Sequence, residues 1–124
     1  MTTKSKATRI YKYDLTIGRS SVTGESFRTP VDLALGKDNQ IYVLNRTTER
    51  QALGHRVCRL NINEEYLGEF GQRGEDDGQF IWALSIATHP DGRIFVCDEW
   101  LNRITIFSRE GKFLNKWGQN GSRN

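Results

Sequence analysis

Apolar residues in this chain recur every second position in short runs. Between Arg103 and Ser108, Ile104 and Ile106 alternate with Arg103 and Thr105, the period of a strand whose two faces meet different surroundings. Four such runs follow one another over Leu84–Thr88, Arg93–Cys97, Arg103–Ser108 and Phe113–Trp117. The joints are His89-Pro90-Asp91-Gly92, residues 98–102 and Arg109-Glu110-Gly111. Asp-Gly and Glu-Gly suit tight turns because glycine accepts the positive φ that hairpins demand. The pattern predicts a four-stranded antiparallel meander.

The same unit occurs earlier. A shift of 53 residues lays Tyr13, Gly18, Phe27, Ala34, Asp38, Ile41 and Val43 on Tyr66, Gly71, Phe80, Ala87, Asp91, Ile94 and Val96. Further on, a shift of 47 lays Arg56, Val57, Leu60, Tyr66 and Phe70 on Arg103, Ile104, Phe107, Phe113 and Trp117. The change of shift places six extra residues in the first copy, within Arg46–Gly54. Lys37-Asp38-Asn39 and Asn63-Glu64-Glu65 occupy the turn positions of that copy.

A lone four-stranded sheet leaves one face uncovered, and units of this length cover it by stacking around an axis, the logic of a propeller. Asp91-Gly92-Arg93-Ile94-Phe95-Val96-Cys97-Asp98, Asn102-Arg103-Ile104 and Phe107-Ser108-Arg109-Glu110-Gly111-Lys112-Phe113-Leu114 closely resemble the NHL repeat. So does Phe70-Gly71-Gln72-Arg73-Gly74 followed by Gly78-Gln79-Phe80. The likeness covers roughly residues 13–121. It implies an all-β fold: two four-stranded antiparallel blades of an NHL-type β-propeller, preceded by an N-terminal strand over Ile10–Ile17. The chain is then one partial propeller domain, 1–124, with a basic arm and leading strand over 1–18, a first blade over 27–71 and a second over 80–118. The first copy departs from the repeat in carrying Asn45 where the second has Asp98.

The resemblance implies a ring of about six blades, so two blades need others. The sequence ends at the joint where a third copy would begin, which fits a longer parent protein. The rival is closure by several two-blade chains around one axis. Either way, uncovered blade faces and strand edges invite association.

Composition narrows the functional classes. With 36% hydrophobic and 27% charged residues, the chain is neither disordered nor membrane-like. No apolar span approaches the ~20 residues of a membrane helix, and no apolar stretch follows the basic start, so a cytoplasmic location is expected. Net charge is +3, but residues 1–20 alone hold +4. The body lacks the basic stripe of a nucleic-acid binder, which ranks RNA last among partners. Cys58 and Cys97 sit in strand segments without metal-ligand spacing; free thiols are expected, with a disulfide between them left open.

Candidate sites follow by weighing chemistry against packing. Asp98, Asn102 and Arg103, with Arg56 repeating the arginine, flank tight connections and read as a structural tie through hydrogen bonds and a salt bridge. The enlarged loop over 46–55 offers Arg46, Arg50 and His55, and nearby Arg56, to an anionic partner. Trp82 and Trp100 fall in loops expected to share one face, where tryptophan is a plausible contact for a peptide, a sugar or a base. Trp117 reads as packing. His55 and His89 read as loop or surface imidazoles. NHL-like lyases hold zinc through histidines just after the proline that precedes the inner strand. The matching positions here, Pro30-Val31 and Ala83-Leu84, carry none. Glu75-Asp76-Asp77-Gly78 lacks calcium-loop spacing and reads as a solvated loop. Asn45-Arg46-Thr47 and Asn120-Gly121-Ser122 match the glycosylation tripeptide by coincidence.

No catalytic residue, metal or cofactor is expected. The reading is a non-catalytic NHL-repeat propeller module for binding a protein, peptide or other ligand, which also associates with itself or with further blades. The alternative is a subunit of a metal-dependent propeller lyase or hydrolase whose ligands lie on other blades.

Overall fold

The computed structural model describes residues 12–13, 27, 29–46 and 54–118. Strands β1 (Pro30–Leu35), β2 (Gln40–Asn45), β3 (Arg56–Asn61) and β4 (Tyr66–Phe70) form one antiparallel meander. Strands β7 (Ala83–Thr88), β8 (Ile94–Asp98), β9 (Arg103–Phe107) and β10 (Phe113–Gly118) form the second. Between them β5 (Gln72–Arg73) and β6 (Gln79–Phe80) make a short parallel clasp. The leading strand expected over Ile10–Ile17 and the basic arm lie outside the described residues, apart from Lys12 and Tyr13, which are in no strand.

Turn chemistry acts where it was expected. Gly92 (φ 99°) donates its N–H to the His89 carbonyl at 2.8 Å, and Gly111 (φ 95°) donates to Ser108 at 2.9 Å. In the first blade Asp38 and Asn39 take left-handed conformations instead (φ 56° and 59°), which short polar side chains tolerate better than others. The repeat extends to an irregularity that no residue pattern announced. Pairing slips between Pro30 and Asp32 in one blade and between Ala83 and Ser85, the same place, in the other.

The blades stack face to face around a single core. Tyr42, Leu44 and Val57 of the first blade meet Phe80, Ala83, Ile86, Ile94, Val96 and Phe107 on the second. Phe107 receives both Phe70 and Phe80, with ring centroids at 4.7 and 5.8 Å. The joint is also tied by polar groups. Asp32 Oδ2 accepts the Ile86 N–H at 2.8 Å, and the Thr88 hydroxyl donates to the Leu35 carbonyl at 2.6 Å. The Tyr42 hydroxyl reaches the Arg109 carbonyl at 3.1 Å, and Arg109 pairs with Asp38 at 3.0 Å.

Each blade turns its second face away from the other. On the first, Leu33 and Leu35 are exposed, while Val43, Cys58 and Leu60 are buried with Phe27 and Ile41 against them. On the second lie Leu84, Ile104 and Trp117. The sheets do not close into a ring. Among the described residues no helix is long and apolar enough to cross a membrane.

Candidate functional site

The register brings the chemistry-bearing loops to one end of both blades. Pro30 pairs with Asn45 and Asn45 with Arg56; Ala83 pairs with Asp98 and Asp98 with Arg103. The connection after β2, the approach to β7 and the turn after β8 therefore share an end.

Asp98 organises that end. Its carboxylate is buried and accepts three backbone N–H groups: Ile81 at 2.7 Å, Trp82 at 3.1–3.2 Å and Leu101 at 2.9 Å. Bonds to a carboxylate are stronger than neutral ones, so one side chain fixes both the approach to β7 and the turn after β8. The Trp82 carbonyl in turn accepts the Glu99 N–H at 3.0 Å. Arg103 behaves differently from the expected salt-bridge partner. Its guanidinium donates to the carbonyls of Glu75, Asp76 and Gln79 at 3.0, 2.8 and 3.1 Å. The arginine clamps the acidic inter-blade loop by its backbone, while the Asp98 oxygens are taken by N–H groups. Asn102 is exposed and left-handed (φ 51°), making the turn.

The first blade carries an amide at the matching position. Asn45, where the second blade has Asp98, donates its amide to the Val43 carbonyl at 3.0 Å and lies 3.5 Å from Cys58 Sγ. Arg56 Nε lies 3.1 Å from the same sulfur and 3.0 Å from Glu69 Oε2. Burial pushes the Cys58 thiol up, and the Arg56 beside it offsets part of that rise. Cys58 and Cys97 are both free, the first buried and the second half-buried. No residue spacing signalled this Asn45–Cys58–Arg56 cluster, because it depends on the cross-strand register.

Of the candidate binding residues, Arg46 and Trp82 come together. The Arg46 guanidinium carbon sits 3.9 Å from the Trp82 ring centroid, and Nη1 donates to the Ala83 carbonyl at 3.1 Å. Trp82 stays 43% exposed, and Trp100, on the turn after β8, 62%. His55 corrects an expectation: it is 2% exposed, not a surface imidazole, because it precedes β3 directly and is drawn in with Arg56. His89 is exposed, and its Nδ1 accepts the Asp91 N–H at 3.1 Å. Arg50 lies outside the described residues. Among the described residues no group of three or more His, Cys, Asp and Glu side chains could hold a metal ion.

Stacked four-stranded meanders, with their innermost strands β1 and β7 side by side, define two blades of a β-propeller. No family model matches the chain. It is 32% identical over 53 residues to the RING finger protein nhl-1 of Caenorhabditis elegans, covering 43% of this chain and 5% of that protein. It is 40% identical over 103 residues to the peptidyl-glycine alpha-amidating monooxygenase of Mus musculus, covering 77% of this chain and 10% of that one. The chain thus spans about a tenth or less of the curated relatives it matches. A crystal structure of a Bacteroides fragilis protein superposes with a TM-score of 0.63 at 15% identity, over 88% of this chain and 30% of that one. The likeness to NHL-repeat proteins and the two stacked four-stranded sheets support an NHL-type β-propeller at low identity, and the described residues form two of its blades.

Proposed function

We propose that the chain is a non-catalytic interaction module whose loop end binds a protein or peptide. The observation that carries this is the Arg46–Trp82 stack, with Trp82 exposed, on a loop end whose backbone Asp98 ties and whose turn after β8 carries the exposed Trp100. A guanidinium laid over an indole presents a cation beside an apolar plane, suited to a peptide with an acidic group next to an aromatic or aliphatic one. Arg50 and His55 belong to the same loop region and are proposed as its margin, His55 by shaping the loop from within. Asp98, Asn102, Arg103 and Arg56 serve the scaffold. A cytoplasmic setting is part of this proposal. Further blades, or further copies, are proposed to cover the two open faces.

The experiment is selection of a displayed random-peptide library on the purified chain. Enriched peptides that lose at least tenfold in affinity on Trp82→Ala or Arg46→Ala support the reading. Enrichment that ignores Arg46, Trp82 and Trp100 together refutes it. The alternative, a subunit of a metal-dependent lyase or hydrolase, draws on the similarity to the amidating monooxygenase. It requires ligands beyond the described residues, and stoichiometric zinc in the purified protein would put it in place of the present reading.

A further inference from the structure

We propose that this chain docks a second copy of itself head to tail, with Phe27 of one copy seated in the groove beside Trp117 of the other. The proposal deepens the suggestion that further copies cover the open faces, and it uses surfaces away from the loop-end stack.

The chain's own blade joint is the template. There Phe80, carried on the second blade against Phe107, shares one buried cluster with Leu44, Val57 and Phe70 of the first. It sits so close to Gly71 that a Cβ there would overlap the Phe80 ring. Phe80 is a knob, and the first blade supplies the hole. The repeat places a second hole on the open face of the second blade, where Leu44, Val57, Phe70 and Gly71 become Cys97, Ile104, Trp117 and Gly118. These four residues line a groove of about 520 Å³ together with Leu84. Trp117 is 55% exposed at its rim.

The knob is duplicated too. Phe27 stands where the repeat puts Phe80, and it packs on the buried Val43, Cys58 and Leu60 of the first blade's outward face, beside the exposed Leu33 and Leu35. Leu60 there takes the place of Phe107. The two outward faces are therefore the two halves of an interface the molecule has already built once. Because the halves differ, the contact is heterologous and propagates from copy to copy, closing into a ring if the rotation permits.

The polar ties do not repeat. Asp32 becomes Ser85, Tyr42 becomes Phe95, and Arg46 becomes Glu99. The joint between copies is apolar, so it forms by burial and varies little with salt.

Light scattering on the purified chain across a concentration series tests this, with far-UV circular dichroism confirming the fold of each variant. Wild type is expected to grow in mass with concentration, while Phe27→Asp and Trp117→Asp each stay monomeric. Leu84→Asp serves as the groove variant if Trp117→Asp does not fold. A one-to-one mixture of knob and groove variants retains one good knob and one good hole, and is expected to give a dimer and nothing larger. Alkylation of Cys97, at the groove, is expected to slow at least fivefold as wild-type concentration rises, and not in Phe27→Asp. A monomeric wild type overturns self-docking while leaving further blades of another chain as the cover. Variants that associate as wild type does, or a mixture that stays monomeric, overturn the Phe27–groove joint itself.

Discussion

Replacing Asp98 with asparagine changes one oxygen to an NH₂ group and little in volume, yet the structure makes it one of the most damaging small changes available. Both carboxylate oxygens are in use: Oδ2 takes Ile81 and Trp82, and Oδ1 takes Leu101 and shares Trp82. Asparagine has one acceptor oxygen. If it faces Ile81, the amide group opposes the Leu101 N–H; if it is flipped, it opposes Ile81. Either orientation leaves one buried N–H without a partner, which costs about 1–3 kcal/mol, and removes charge assistance from the bonds that remain. Together these give a loss of about 2–4 kcal/mol, a large share of the ~5–15 kcal/mol that stabilises an ordinary domain. At ~4–8 °C per kcal/mol for a small domain, the melting temperature should fall by roughly 8–32 °C. Urea denaturation followed by circular dichroism and tryptophan fluorescence measures it, with Trp82 and Trp100 reporting on the loop end. The reciprocal change, Asn45→Asp, sets a carboxylate oxygen against the Val43 carbonyl that now accepts at 3.0 Å, and should also destabilise. A loss under about 0.5 kcal/mol in Asp98→Asn would refute the view that this carboxylate holds the loop end through its backbone bonds.

Three more expectations follow from other parts of the structure. Gly71→Ala places a Cβ against the Phe80 ring at a φ of 89°, so urea midpoints should report a loss of about 1–3 kcal/mol, and an unchanged midpoint would remove Phe80 as a knob. Cys58 is buried, its thiol pushed up by desolvation, so in dilute protein at pH 8 Cys97 should alkylate first and Cys58 only on unfolding; mass spectrometry of labelled peptides reads the order. Asp91 is held below the usual aspartate range by the Arg93 N–H and guanidinium. Its folded value is the depressed one, so its stabilisation is complete above the unfolded value and is lost as pH falls through the folded value. Asp91→Asn should therefore flatten the acid limb of stability against pH, and an unaltered limb would refute this.

The fold was legible because its determinants are local and repeated. Alternation marked the strands, Gly92 and Gly111 marked two turns, and the change of shift located the enlarged loop. The site was less legible because its determinants are relations across strands. Arg46 and Trp82 were both candidates, but nothing in a one-dimensional pattern says that a residue leaving β2 will lie over one approaching β7. That meeting follows from the stacking offset between blades. His55 was misread because a loop insertion suggests exposure, whereas its place immediately before β3 draws it inward with Arg56.

The exchange of Asp98 for Asn45 shows how far such equivalence reaches. In alignment it is a conservative substitution at one repeat position, and both residues sit buried at the end of the second strand of their blade. Asp98 gathers three donors, whereas the Asn45 side chain also donates, to a carbonyl and toward a thiol. The carboxylate draws the approach to β7 and the turn after β8 into one rigid unit, with a short connection between β8 and β9. The Asn45 amide turns to its own blade, donating to the Val43 carbonyl and lying beside Cys58. The six extra residues fall in the connection after β2. The end of β2 on one blade and the approach to β7 on the other meet where Arg46 covers Trp82. Two units built on one repeat thereby present different chemistry at the same end.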